Sequence, residues 1–192
     1  IPIELKHWIE DFEKYIERKL KGEIISRFKG ILIIGKTRSG KTALMTTLGK
    51  FTYIPNVWNM DCFGSEDWIN IFDDNDIIIE KFSEFTWYKG WFGSQEVIGV
   101  TDKYRPKEEL NNDRPICWLT NIPFEEQFKD KLTQKYIREN VTIIDLKNEN
   151  LIEKKDTRTI DGFSGWVEYN PKESFYYCNE IFCNSYTKTK IN

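Results

Sequence analysis

Apolar residues recur along the first twenty positions at Leu5, Trp8, Ile9, Phe12, Ile16 and Leu20. Steps of three and four place them on one stripe of a helix, so the spacing predicts a helix from Ile3 to Leu20, stopped near Gly22. The pattern then changes. Gly30 to Ile34 is a short unbroken apolar run, as expected of a strand covered on both faces, and Thr42 to Leu48 reads as a helix. Similar runs at Ile69 to Phe72, Ile116 to Leu119 and Val141 to Leu146 predict three more buried strands. "DIIIEKF", Asp76 to Phe82, adds an apolar run that fits a strand or a buried helix equally. "EVIGVTDKYRPK", Glu96 to Lys107, reads as a strand leading into a polar turn centred on Asp102 and Arg105-Pro106.

Short apolar strands separated by helical or irregular stretches predict an α/β fold, a mostly parallel central sheet flanked by helices. Three regions follow: a helical segment over 1–28, a core over 29–147 and an extension over 148–192. The extension changes character, with "EKKDTR" followed by aromatic residues at Phe163, Trp166, Tyr169 and Phe175 to Tyr177. It reads as a hairpin or loop packed on the core. At 192 residues, with 40% apolar and 15% aromatic content, the chain can bury one good core. The formal net charge of -3 leaves no global basic field, so any nucleic-acid contact must be a local patch. Four scattered cysteines (Cys62, Cys117, Cys178, Cys183) favour a reducing compartment over a disulfide framework. With His7 as the one histidine and no C-x-x-C, structural zinc is not expected. No apolar run approaches the roughly 20 residues of a membrane span, so a soluble protein is expected. The chain starts at Ile1 rather than methionine, as a fragment or processed chain would.

The chemistry concentrates at "GKTRSGKT", which matches G-x-x-x-x-G-K-[ST] at Gly35, Gly40, Lys41 and Thr42 between a buried strand and a helix. Its glycines let backbone N–H groups curl round an anion, over Gly35, Lys36, Thr37, Arg38, Ser39, Gly40, Lys41 and Thr42. Lys41 is expected to reach terminal phosphates, and the Thr42 hydroxyl to ligate magnesium. "INIFDDND" then supplies acids at the end of an apolar strand. Asp73 is the expected magnesium ligand, with Asp74 placed to orient or deprotonate water.

This loop and its acids, followed by "WYKGWFGSQEVIGVTDKYRPK" and "RPICWLTN", resemble the helicase domain of the Rep replication initiators of circular single-stranded DNA viruses and related plasmids. Geminiviruses, nanoviruses and circoviruses carry such proteins. They are superfamily 3 helicases with an AAA+-like P-loop ATPase core, and the resemblance covers Ile31 to Leu146. Lys36 and Arg38 depart from the small residues the family often has, without affecting Lys41 or Thr42. The resemblance implies that Lys103, Tyr104, Arg105 and Lys107 lie on a hairpin that grips single-stranded DNA. It implies that Asn121 is a polar sensor of water or the γ-phosphate, and that Arg138 is an arginine finger reaching a neighbouring subunit. Arg114 and Lys135 stay open as alternatives for the finger.

It further implies ATP and Mg²⁺ as cofactors, single-stranded DNA as partner, and self-assembly into a ring, a hexamer, with the N-terminal helix as an oligomerisation element. The location would be intracellular: the host nucleus for a eukaryotic virus, the cytoplasm for a bacterial plasmid. The nicking endonuclease domain of Rep proteins is not expected within these residues, which hold one histidine. The expected function is that of an ATP-dependent DNA helicase domain of a rolling-circle replication initiator. The alternatives are a nucleotide-dependent switch, a small-molecule P-loop kinase, and a superfamily 3 ATPase that acts on RNA.

Overall fold

The computed structural model describes residues 1–56, 60–64, 66–75, 88–101, 106–147 and 149–151. Five strands, β1 (Gly30–Ile34), β2 (Phe51–Pro55), β3 (Ile69–Asp73), β6 (Ile116–Thr120) and β7 (Val141–Asp145), form one sheet in the order β2-β3-β6-β1-β7. Every neighbouring pair in it is parallel. Two further strands, β4 (Val97–Val100) and β5 (Glu108–Asn111), pair antiparallel as a separate hairpin. The helices are α1 (Ile3–Leu20), α2 (Lys41–Met45), α3 (Tyr88–Phe92), α4 (Phe124–Gln127) and α5 (Lys131–Asn140).

The apolar runs explain the centre of this sheet. β1 and β6 are buried at all five positions, because their alternating side chains meet a packed layer on either face. Ile31, Ile33, Ile71, Cys117 and Leu119 join Leu44 and Met45 of α2 and the stripe of α1 on one face. Leu32, Ile34, Phe72 and Trp118 face the other way, against α3, Phe124 and Phe128 around α4, Ile137 of α5 and Ile98 of β4. The sheet is thus covered on both sides, as an α/β sheet requires.

The predicted helix over Ile3 to Leu20 has those bounds, and Gly22 follows it at φ 73. The Glu23 amide donates to the Arg18 carbonyl and that of Gly22 to Lys19, a glycine-dependent cap that ends the helix. Most of the stripe is covered within the chain, while Leu20 at its end stays 69% exposed. Leu5, Trp8, Phe12, Tyr15 and Ile16 are buried. Trp8, Phe12 and Tyr15 pack round Phe28, and the Trp8 indole donates to the Lys29 carbonyl.

One local reading needs correction, and two strands were not anticipated. The helix expected over Thr42 to Leu48 ends at Met45. Thr46 and Thr47 turn their hydroxyls back onto the carbonyls of Thr42, Ala43 and Leu44, which competes with further helical bonds. β2 and β5 are strands that no apolar run announces, since β2 is a half-exposed edge and β5 is polar. β4 and β5 flank the polar stretch of "EVIGVTDKYRPK", and Asp102, on which the expected turn is centred, lies outside the described residues. Lys103, Tyr104 and Arg105 also lie outside them, as do the Ile77–Ile79 run and the aromatic extension from 152 onward. No described helix is long and apolar enough to cross a membrane.

Burial of the α1 stripe has a measurable consequence. The Tyr15 phenol is raised from 10.0 to about 12, by burial first and by the neighbouring Asp113 carboxylate second. The folded chain therefore keeps this proton longer than the unfolded chain does. Its contribution is intact below pH 10 and is lost as pH rises towards 12, a swing of about 2–3 kcal/mol. Tyr15→Phe removes the ionisable group and leaves the ring, so urea unfolding at rising pH is expected to show a shallower alkaline loss in that variant. The two slopes would be equal if Tyr15 were solvated.

Candidate phosphate- and cation-binding site

The parallel register brings the carboxyl ends of the strands to one edge: Ile34 opposite Thr120 and Asp145, Asp73 opposite Leu119 and Pro55. From β1 the chain passes through α2, on one face, to β2. From β6 it passes through α5, on the other face, to β7. Connections that diverge to opposite faces leave a crevice between the two strand ends, the position where ligands bind in open α/β sheets. The loop 35–40 and Asn121 border that crevice.

The loop is held at both ends. The Gly35 amide donates to the Thr120 carbonyl, and the Leu151 amide to the Ser39 carbonyl. A Cβ on Gly35 would come within 2.9 Å of the Leu146 side chain, so glycine suits the close approach of the residue that follows β7. Gly40 stands at φ 88 and opens α2, whose first amides have no partner within the helix. Lys36, Thr37 and Arg38 are exposed, whereas Ser39 and Lys41 are buried.

Lys41 Nζ donates to the Gly35 carbonyl at 2.7 Å, the Lys36 carbonyl at 3.1 Å and Asn121 Oδ1 at 2.9 Å. Burial lowers its pKa, and the nearby Asp73 and Asp74 carboxylates oppose that shift. Thr42 Oγ1 donates to Asp73 Oδ2 at 2.7 Å. Asn121 Nδ2 donates to Thr37 Oγ1 at 3.3 Å and to Asp74 Oδ1 at 3.5 Å. Asp74 takes a left-handed backbone (φ 51), and its amide donates to the Leu119 carbonyl. This turn, which aspartate tolerates better than most residues, ends β3 at the edge beside Asn121. Lys41, Asn121 and Asp74 thus form one hydrogen-bonded set and Thr42 with Asp73 a second, the two joined through the chain neighbours Lys41-Thr42 and Asp73-Asp74 and spanning up to 80 positions in sequence.

One member was not foreseen from the sequence. Tyr53 of β2 donates its hydroxyl to Asp73 Oδ2 at 2.9 Å. Burial, followed by this bond and the charge of Asp73, raises the phenol to about 12, so it remains a donor.

The donor set suits a small hard cation with a phosphate beside it. A hydroxyl and a carboxylate 2.7 Å apart, with a second carboxylate next in chain, provide the oxygen ligands that Mg²⁺ combines with substrate phosphates. A buried ammonium ringed by polar groups provides the cationic partner for the phosphate.

Other expected residues lie apart from this group. Lys107 is exposed at the start of the return into β5, with its side chain lying over Gly99. Arg138 on α5 pairs with Glu125 at 2.7 Å and lies 4.3 Å from the Phe124 ring centre, both within this chain. Arg114 is only 5% exposed, and its guanidinium donates to the carbonyls of Asn112 and Gly64. That engagement removes it as an alternative finger, while Lys135 is exposed on α5. A cleft of about 790 Å³ opens at the opposite, amino edge of the sheet, bordered by Tyr15, Lys19, Lys50, Trp68 and Arg114. Its cations are each engaged by an acid, Lys19 by Asp113 at 3.0 Å, Lys50 by Glu66 at 2.6 Å and Arg114 by Asp67 at 3.6 Å. It therefore offers no convergent charge to a ligand, and the bonded group at the carboxyl edge is the stronger candidate. No protein-family model matches this chain, and no curated protein matches it either.

Proposed function

We propose that this chain is an AAA+-like P-loop ATPase of the superfamily 3 helicase kind, an ATP-dependent DNA helicase domain that binds ATP and Mg²⁺ at the loop 35–42. The observation that carries this reading is the convergence of Lys41, Thr42, Asp73, Asp74 and Asn121 through hydrogen bonds of 2.7 to 3.5 Å. The strand order supports it, because β6 places Asn121 between the loop strand and the acid strand.

On this reading Lys41 exchanges Asn121 Oδ1 for a phosphate oxygen, and the loop amides surround the remaining phosphate charge. Thr42 and Asp73 would hold Mg²⁺, which would supply positive charge to the phosphates. Asp74 orients the attacking water and accepts its proton, and Asn121, released from Lys41, contacts the γ-phosphate. Arg138 would act only across a subunit boundary, in a hexameric ring where its pairing with Glu125 gives way to phosphate. The β4–β5 hairpin carries Lys103, Tyr104, Arg105 and Lys107 to single-stranded DNA, with ammonium groups on phosphates and the aromatic ring on a base.

Steady-state ATP hydrolysis with and without a single-stranded oligonucleotide tests the DNA half of the proposal. Hydrolysis is expected to rise with DNA in the wild type. Lys107→Ala is expected to keep the basal rate but bind DNA more weakly, with the salt dependence reduced by about 0.7 per lost phosphate contact. Hydrolysis indifferent to DNA in the wild type would contradict the helicase reading and favour a nucleotide-dependent switch or a small-molecule kinase.

A further inference from the structure

The sequence motifs place no residue of the edge strand β2 at the nucleotide site, yet β2 is tied to the end of the acid strand in two places. Tyr53 Oη donates to Asp73 Oδ2 at 2.9 Å, the oxygen that also accepts from Thr42 Oγ1 at 2.7 Å. Asn75, fully buried, donates its side-chain amide to the carbonyls of Ile54 and Asp73 and so ties the turn after β3 back onto β2.

The register explains the reach. Tyr53 lies opposite Ile71, and Asp73 is two positions further along β3 on the same face, the one that α2 covers. With parallel strands about 4.8 Å apart and rising about 3.3 Å per residue, such diagonal neighbours have Cα atoms about 8 Å apart, a span a tyrosine bridges and a shorter side chain does not. We propose that Tyr53 is a positioning residue for the cation: with Thr42 it fixes Asp73 through two donors on one oxygen and so presents Oδ1 to the bound metal. The inference rests on the nucleotide reading above and extends it to a residue outside the loop and acid motifs.

Two donors on one carboxylate oxygen determine both the plane of the group and which oxygen is left for the metal. Removing one leaves Thr42 as the sole restraint, and the carboxylate can turn about its Cβ–Cγ bond. Loss of such an outer partner typically weakens metal binding about 10- to 100-fold. The Phe variant is suitable because the ring's edge-on contact with Phe51, with centres 6.5 Å apart, does not need the hydroxyl.

The test titrates Mn²⁺ into wild type and Tyr53→Phe with ADP present, reading free Mn²⁺ by electron paramagnetic resonance, with ADP affinity in EDTA measured in parallel. The expected result is Mn²⁺ affinity about 10-fold weaker in Tyr53→Phe, at the low end for an outer partner, with metal-free ADP affinity unchanged. Equal Mn²⁺ affinity in the two proteins overturns the positioning role while leaving the nucleotide reading intact. A matching loss of metal-free ADP affinity also overturns it, since that marks a general structural effect. If the wild type binds no ADP with or without Mn²⁺, the nucleotide reading fails and this inference fails with it.

Discussion

Lys41→Ala is expected to lower Mg²⁺-dependent ATP hydrolysis roughly 100- to 1000-fold, the range seen when one preorganised donor to a developing charge is removed. Lys41 is 6% exposed, and its ammonium already points into a ring of oxygen acceptors from the loop and from Asn121, just past β6. Those acceptors hold the cation at the mouth of the loop, so the phosphate contact proposed above needs little reorganisation. Alanine removes both the charge and its placement. The fold is expected to survive, because Gly35 stays bonded to Thr120, and the apolar contacts of β1 do not involve the lysine. Phosphate release checks the rate and circular dichroism the fold. A variant that keeps near wild-type hydrolysis would remove Lys41 from the site.

The second large effect concerns stability. Trp118→Ala is expected to destabilise the chain by about 3–5 kcal/mol, as truncations of large buried aromatics do. Trp118 is fully buried on the central strand β6, stacked on Phe72 with ring centres 5.5 Å apart and tilted against Phe92 at 5.4 Å. No neighbour can collapse into that space without moving β3 or α3. Against a typical domain stability of about 5–15 kcal/mol, the loss leaves a marginal fold. Since Asn121 directly follows β6, and β6 is bonded to both β1 and β3, the site should loosen as well. Urea unfolding measures the loss; a change well under 1 kcal/mol would contradict the packing described here.

The parts of the site legible in the sequence are those whose signal is local. β1 and β6 appear as unbroken apolar runs because they are central and covered on both faces. The glycine–lysine loop and the Asp73-Asp74 pair are identifiable because each immediately follows such a run. Tyr53 has no such signal. Its relation to Asp73 is a matter of register between two strands, and "FTYIP" alternates only weakly because β2 is an edge. The α1 stripe marks a face that must be covered without specifying what covers it, and Phe28 with the sheet does so. Arg114 reads as a surface arginine by composition, and only the fold shows it engaged by backbone carbonyls.

The central claim is that the loop and the acids at the carboxyl edge form one nucleotide–cation site. Calorimetric titration of ATP into the wild-type chain, with Mg²⁺ and again with EDTA, tests this most directly. The account predicts saturable one-to-one binding that weakens when Mg²⁺ is removed. No saturable binding under either condition, in a chain shown to be folded, would contradict it.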